Sequence, residues 1–283
     1  MILNLQIDLQ LIDITVEVPY ENGSLTLLKD ISLCISQGEW ISIVGKNGSG
    51  KSTLAQLLTG VRKASSGIIQ RGFSGDEPIP YVMQQEMQWF GETPWEDMIF
   101  LLESRGEDVK LIPEIIQSAL ERVGIDLLKD RPFAEMSGGQ QQLAAIAGCL
   151  AARTPIIVFD EATSMLDSTS RQQVLAAAKT INQQGTAVVW LTHHIEDLSF
   201  GERVIALESG KISYDDSTTA FFYRGSTFDL NHTTLIKTPC EELGFTLPYP
   251  IQVAHELKLK GIQLPTLPLT SEQLVEAVSY LVK

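Results

Sequence analysis

The stretch IVGKNGSGKST, residues 43–53, leaves this chain little freedom in how it folds locally. It follows the short apolar run that begins at Trp40, carries glycines at 45, 48 and 50, and runs into KSTLAQLLTGV, which has helical spacing. That is a strand, a glycine loop and a helix. Gly45, Gly50, Lys51 and Ser52 also fit the pattern G-x-x-x-x-G-K-[ST] in the context that gives the pattern meaning. The glycines let the backbone curl until its N–H groups point at an anion. Lys51 adds a point charge for the terminal phosphates, and the Ser52 hydroxyl is placed to bind Mg²⁺. Gly45, Lys46, Asn47, Gly48, Ser49, Gly50, Lys51, Ser52 and Thr53 are therefore the candidate residues for a nucleoside triphosphate.

The rest of the chain supplies a frame for that loop. Residues 3–18 alternate apolar and polar, Gly23 lies in a turn, and LTLLKDISLCI resumes the alternation. Residues 108–126 read as helical and close at Gly124. A further helix should start near Ser137, and IIVF and AVVWL, the latter after a turn at Gly185, read as buried strands. Strands alternating with helices imply parallel βαβ units beside a mostly antiparallel N-terminal sheet. Composition shifts near 225. From there five prolines interrupt two short helical patterns, the second opening on a capping box of Thr270 and Gln273.

Two other segments carry chemistry. PIIVFDEATSMLD is an apolar strand ending in adjacent carboxylates. Strand alternation would point them differently, giving Asp160 to the metal and Glu161 to the attacking water as general base. In MSGGQQQ, a serine and two glycines run into an apolar-rich helix, which suits a second phosphate. Gly-Gly before a helix is also a common capping turn, so that segment alone decides nothing.

Composition excludes several classes. A formal charge of −14 repels nucleic acid. An acidic chain can still dock on the basic cytoplasmic loops of a membrane protein, although the charge alone requires no more than a role in solubility. No apolar run approaches the roughly 18 residues of a membrane span, and the N-terminus shows no secretory pattern. Cys34, Cys149 and Cys240 are widely spaced and read as reduced thiols of a cytosolic protein, without metal.

Taken in order, Gly45 to Thr53, Ser137 to Gln140, Phe159 to Glu161, SMLD (Ser164 to Asp167) and LTHH (Leu191 to His194) resemble the Walker A, signature, Walker B, D-loop and switch-histidine motifs of ATP-binding-cassette (ABC) ATPases. The resemblance covers residues 3 to about 222. It implies an α/β P-loop nucleotide-binding domain over 1–224, with a RecA-like core, an antiparallel β subdomain and a helical subdomain. A small C-terminal extension, 225–283, would follow, serving dimerisation or regulation. In that family two cassettes pack head to tail, so Ser137, Gly138, Gly139 and Gln140 would touch the partner's ATP. The resemblance also implies that Gln84, next to Gln85, is the Q-loop glutamine near Mg²⁺ or the water. By the same token His193, which follows Leu-Thr, would reach the γ-phosphate, and Asp167 would organise the dimer interface. Two departures stand out. Strict spacing puts Val18 where an aromatic should stack on adenine, with Tyr20 two residues later as a substitute or a turn residue. Gln141, Gln142 and Leu143 follow the signature where lysine and arginine are frequent, which removes positive charge near the interface.

The tail CEELGFTLPYPIQVAHELKLKGIQLPTLPLTSEQLVEAV and the block DEATSMLD resemble the ATPase subunits of energy-coupling factor (ECF) transporters, SMLD being closer to the first of the two paired ATPases. That resemblance implies a second cassette, often non-identical, a transmembrane coupling protein and small substrate-binding membrane proteins for vitamins or metal ions. The chain would then be peripheral, on the cytoplasmic face of the cell membrane. A conventional ABC importer ATPase would share everything up to 222 but should carry a different tail.

Overall fold

A computed structural model describes residues 8–20, 23–83, 88–224 and 237–281. From residue 9 onward the alternating N-terminal segment forms β1 (Leu9–Tyr20), which buries Leu9, Leu11, Ile14 and Val16, and its positions 3–7 lie outside the described residues. It pairs antiparallel with β2 (Gly23–Ile35) from Leu9↔Ile35 to Tyr20↔Gly23, so Gly23 opens the strand instead of making the turn. The apolar run that precedes the glycine loop is β3 (Trp40–Val44), buried at every position, and α1 (Lys51–Leu58) starts directly after Gly50. The chain then returns as β4 (Ser66–Gln70) to the other side of β1, which completes a three-stranded antiparallel sheet in the order β2-β1-β4.

A second sheet is assembled from distant segments. After β5 (Tyr81–Met83) come three helices, α2 (Pro94–Ser104), α3 (Ile112–Val123) and α4 (Gly138–Ala151). The βαβ units follow: β6 (Ile156–Asp160), α5 (Ser168–Gln183), β7 (Ala187–Leu191), β8 (Arg203–Glu208), then β9 (Lys211–Ser217) and α6 (Thr218–Tyr223). The strand order is β5-β6-β7-β3-β8-β9, parallel except for the β8–β9 pair. Continuous apolar strands such as IIVF and AVVWL demand cover on both faces. One face packs Ile43, Val158 and Val189 against Leu54 and Leu57 of α1 and Ile14 and Leu28 of the small sheet. The other packs Phe159 and Trp190 against Ile146 of α4 and Val174 of α5, with the Trp190 ring 5.6 Å from Trp40 and 4.9 Å from Phe159.

The helical layer differs in detail from the sequence expectation. The helix expected over 108–126 spans Ile112–Val123 and ends, as expected, where Gly124 takes a left-handed φ of 75°. Helix α2 has no counterpart in the sequence expectation, although its start is well marked. Thr93 accepts from the Glu96 N–H, and Pro94 sits at the first helical position, where its missing N–H is harmless.

The tail forms α7 (Pro239–Glu242), α8 (Tyr249–Leu259) and α9 (Ser271–Ser279), and the capping box of Thr270 and Gln273 is present. Its residues Cys240, Leu247 and Ile251 are buried in one cluster with Val44, Val204, Ala206, Phe221 and Phe222. The described tail thus shares a core with the β3–β8 flank of the large sheet. Cys149 and Cys240 are buried, Cys34 is half-buried, and all three are free thiols.

Candidate functional site

Parallel strands deliver their following loops to one end of a sheet, and ligands bind there. At that end lie the glycine loop after β3, the two acids at the end of β6 and the histidines after β7. The loop needs its glycines for different reasons. A Cβ on Gly45 would lie 2.5 Å from the Leu207 carbonyl oxygen and 2.4 Å from Ser49 Oγ. Gly50 adopts a φ of 106° and abuts Leu28 of β2, which a Cβ would meet at 2.7 Å. The curl therefore sits tightly on the small sheet. Lys46, Asn47 and Gly48 are exposed at its tip, Ser49 is buried, and Ser52 is exposed on the first turn of α1 next to Thr53.

Lys51 is 5 % exposed and donates to the Gly45 carbonyl at 2.8 Å. Its ammonium is also 3.7 Å from Glu161 Oε1, while the other oxygen of that carboxylate is 3.4 Å from His193 Nδ1. Three motifs far apart in the chain thus converge on one carboxylate. Of the two histidines it is His193 that contacts it. Burial lowers the pKa of His194, whose backbone N–H donates to Thr192 Oγ1 at 3.0 Å.

The two adjacent acids are separated by a turn and not by strand alternation. β6 ends at Asp160, and Glu161 takes a left-handed φ of 51°. That conformation is costly for a non-glycine residue, and it is braced on both sides. The Glu161 N–H donates to the Leu191 carbonyl at 3.0 Å, and its carbonyl accepts from the Ser164 N–H at 3.1 Å and hydroxyl at 2.8 Å. Asp160 is buried instead. The Tyr81 hydroxyl donates to its Oδ2 at 2.7 Å, while Oδ1 is buried with no hydrogen-bond partner among the described residues.

Ser137 caps α4 through a capping box with Gln140, where the sequence places the start of a helix. Gly138 is exposed, but Gly139 is buried against α5, where a Cβ would lie 2.8 Å from Ser170 Cβ. The starts of α4 and α5 therefore touch, and Ser137, Gly138, Leu166 and Asp167 line a shallow depression between them. Asp167 caps α5, accepting from the Thr169 and Ser170 N–H groups and from Ser170 Oγ at 2.7 Å. Those Ser170 bonds hold its carboxyl below the usual range. Among the described residues no hydrogen bond or ion pair joins Ser137–Gln140 to residues 45–53. A Gly139→Ala chain should lose about 1–3 kcal/mol of stability from overpacking. Thermal unfolding of Gly139→Ala, Ser170→Gly and the double variant checks this, because the double should be more stable than the two single losses added.

The remaining sequence candidates divide three ways. Val18 and Tyr20 share the face of β1 that carries buried Val16, so Tyr20 presents an exposed ring one pleat beyond Val18. Gln142 and Leu143 are buried, with Leu143 in the helical core and the Gln142 side chain donating to the Met83 carbonyl at 3.0 Å. The charge missing from these two positions is thus a matter of packing as much as of surface. Gln84 and Gln85 lie outside the described residues. Sequence reasoning missed Tyr81, whose role depends on strand register. It also missed the pair of half-buried Arg171 and buried Asp197, which ties α5 to the histidine loop because Thr192 Oγ1 donates to the same aspartate at 3.2 Å.

Comparison with known proteins agrees with this geometry. The family model described as ABC transporter matches residues 28–164. The energy-coupling factor transporter ATP-binding protein EcfA1 of Halalkalibacterium halodurans is 34% identical over 93% of this chain and 95% of its own length. The EcfA1 protein of Streptococcus thermophilus is 37% identical over 88% of this chain and 90% of its own. Among solved structures, cbiO1 from Clostridium perfringens, part of the ABC transporter complex cbiONQ, superposes with a TM-score of 0.67 at 27% identity, over 76% of this chain and 90% of that one. A bacterial ABC transporter cassette solved as a dimer gives 0.65 at 27% identity, over 74% and 98%. The same kind of cassette bound to ADP and phosphate gives 0.62 at 27% identity, over 74% and 98%. This chain belongs to the ABC transporter family, among the ATP-binding proteins of energy-coupling factor transporters.

Proposed function

We propose that this chain is the ATP-hydrolysing subunit of an energy-coupling factor importer, powering uptake of a vitamin or metal ion through a membrane coupling protein. One observation carries the catalytic half of that reading: Glu161 is held between Lys51 at 3.7 Å and His193 at 3.4 Å where β6, β7 and the glycine loop meet. ATP lies along Gly45 to Thr53, with Lys51 at its terminal phosphates and Tyr20 against the adenine. Glu161 orients or deprotonates the attacking water, and His193 reaches the γ-phosphate. Ser137, Gly138, Gly139 and Gln140 close over the ATP of a second cassette, and Asp167 stands between the two sites.

The residues present suit Mg²⁺, which prefers oxygen donors. Asp160 carries a buried oxygen with no partner among the described residues, and the Ser52 hydroxyl is exposed at the start of α1. These two would hold the ion together with Gln84. The bound ion supplies positive charge that offsets charge on the transferring phosphoryl group.

The 1–224 cassette drives the cycle, and the 225–283 extension serves pairing or regulation. ATP holds two cassettes together, hydrolysis releases them, and the opening moves the membrane partner. No described helix is long and apolar enough to cross a membrane. We place the chain at the cytoplasmic face, docked through the coupling protein, beside a second and non-identical cassette. Nucleic acid is not a partner, given the charge of −14.

The test is to tag the chain, solubilise native membranes gently and identify what co-purifies. We expect a second, different cassette, a coupling protein and at least one small hydrophobic substrate-binding protein. Two copies of this chain with a conventional permease would overturn the energy-coupling factor assignment while leaving the catalytic one intact.

A further inference from the structure

The β5–β6 register places a tyrosine where no nucleotide-binding motif would put one. The two strands run parallel with Tyr81 level with Val158 and Met83 level with Asp160. Side chains that are level on neighbouring strands share a face, and positions two apart on one strand do too. Tyr81, Val158 and Asp160 therefore face one side, while Val82 and Phe159 face the other. The cores agree, since Val158 and Tyr81 pack with the small sheet and Val82 and Phe159 with the helices. Leaning one pleat forward along its strand, Tyr81 brings its hydroxyl to Asp160 Oδ2 at 2.7 Å.

That bond divides the carboxylate into two unlike oxygens. Oδ2 has a donor, and Oδ1, in a side chain only 7 % exposed, has none among the described residues. A buried acceptor without a donor is costly, more so when charged. A cation is the partner that removes this cost. Among the described residues Tyr81 is the one that hydrogen-bonds the Asp160 side chain, so it alone fixes the rotation of the carboxyl group.

We propose that Tyr81 is a positioning residue for the divalent cation of the ATPase cycle: its hydroxyl locks Asp160 by Oδ2 and so presents Oδ1 to the metal. The proposal rests on the assignment of Asp160 as a metal carboxylate. Outer partners that hold a metal ligand in place are typically worth about 10–100-fold in metal affinity. Tyr81 does not touch the nucleotide in this scheme, so its loss should act on metal and spare ATP itself.

The experiment uses the full chain loaded with the non-hydrolysable analogue adenylyl imidodiphosphate, with Mn²⁺ as the probe followed by electron paramagnetic resonance. Analogue affinity is measured separately in EDTA. Tyr81→Phe should weaken Mn²⁺ binding about tenfold or more and leave the metal-free analogue affinity unchanged. Asp160→Asn should also weaken Mn²⁺ binding, and adding Tyr81→Phe to it should bring little further loss, because the two act as one unit. If Asp160→Asn weakens Mn²⁺ binding and Tyr81→Phe does not, the proposal is overturned while the metal assignment stands. If Asp160→Asn has no effect, the metal assignment itself falls. A Tyr81→Phe chain that loses metal-free analogue affinity by the same factor would show that the tyrosine is merely structural.

Discussion

Replacing Glu161 by glutamine should slow ATP hydrolysis by about two to four orders of magnitude and leave ATP bound. The substitution keeps the shape of the side chain and its hydrogen-bonding reach, but removes the negative charge and the basic oxygen. The backbone that sets this position should persist, since the left-handed turn at 161 is held by Leu191 and Ser164 through main-chain groups. Lys51 keeps its bond to Gly45 and loses only the 3.7 Å contact with the carboxylate. Binding and chemistry should therefore separate. Without hydrolysis the two cassettes stay joined by ATP, so with the partner cassette present a stable dimer should appear by light scattering only when ATP is added. Phosphate release checks the rate. Turnover close to that of the unaltered chain would remove Glu161 from its role and leave His193, its 3.4 Å neighbour, as the group to test next.

What could be read from the sequence, and what could not, follows from the range of the forces involved. The glycine loop is legible because its constraints are local: Gly45 and Gly50 are needed by contacts and a φ that few other residues tolerate, and Lys51 and Ser52 follow in fixed register. The caps at Ser137 and Thr270 are legible for the same reason, each being settled within four residues. Helix α2 was equally local, and its Thr93-Pro94 start was there to be found. The split between Asp160 and Glu161 was foreseen but its cause was not, because a left-handed turn at glutamate is stabilised by Leu191, thirty residues on. Tyr81 lay beyond reach altogether. Its meaning depends on which residue of β6 stands beside it, and register between strands that are separated by three helices leaves no periodic trace. The burial of Cys240 and Ile251 with Val44 is likewise a contact made across most of the chain.

Lys51→Ala should fail one step earlier than Glu161→Gln. Lys51 is almost wholly buried, yet its ammonium is satisfied by one short bond to the Gly45 carbonyl, a long one to the Lys46 carbonyl at 3.5 Å and one looser ion pair. A side chain held that way is placed to meet phosphate oxygens without rearranging, which is what preorganised charge requires. Removing it should cut hydrolysis by about a hundredfold to a thousandfold, and it should also weaken ATP binding. The second effect is separable, because ligand binding raises the unfolding temperature by mass action. ATP should raise the melting temperature of the Glu161→Gln chain and do little for the Lys51→Ala chain at the same concentration. Lys51→Arg should not restore function, since a planar fork needs more room than a compact ammonium lying 2.8 Å from Gly45. Should the alanine chain keep the full ATP-dependent rise in melting temperature, the lysine would not be at the phosphates. The loop would then hold ATP through its backbone N–H groups alone, and the contact between Lys51 and Glu161 would serve only to hold the catalytic carboxylate in place.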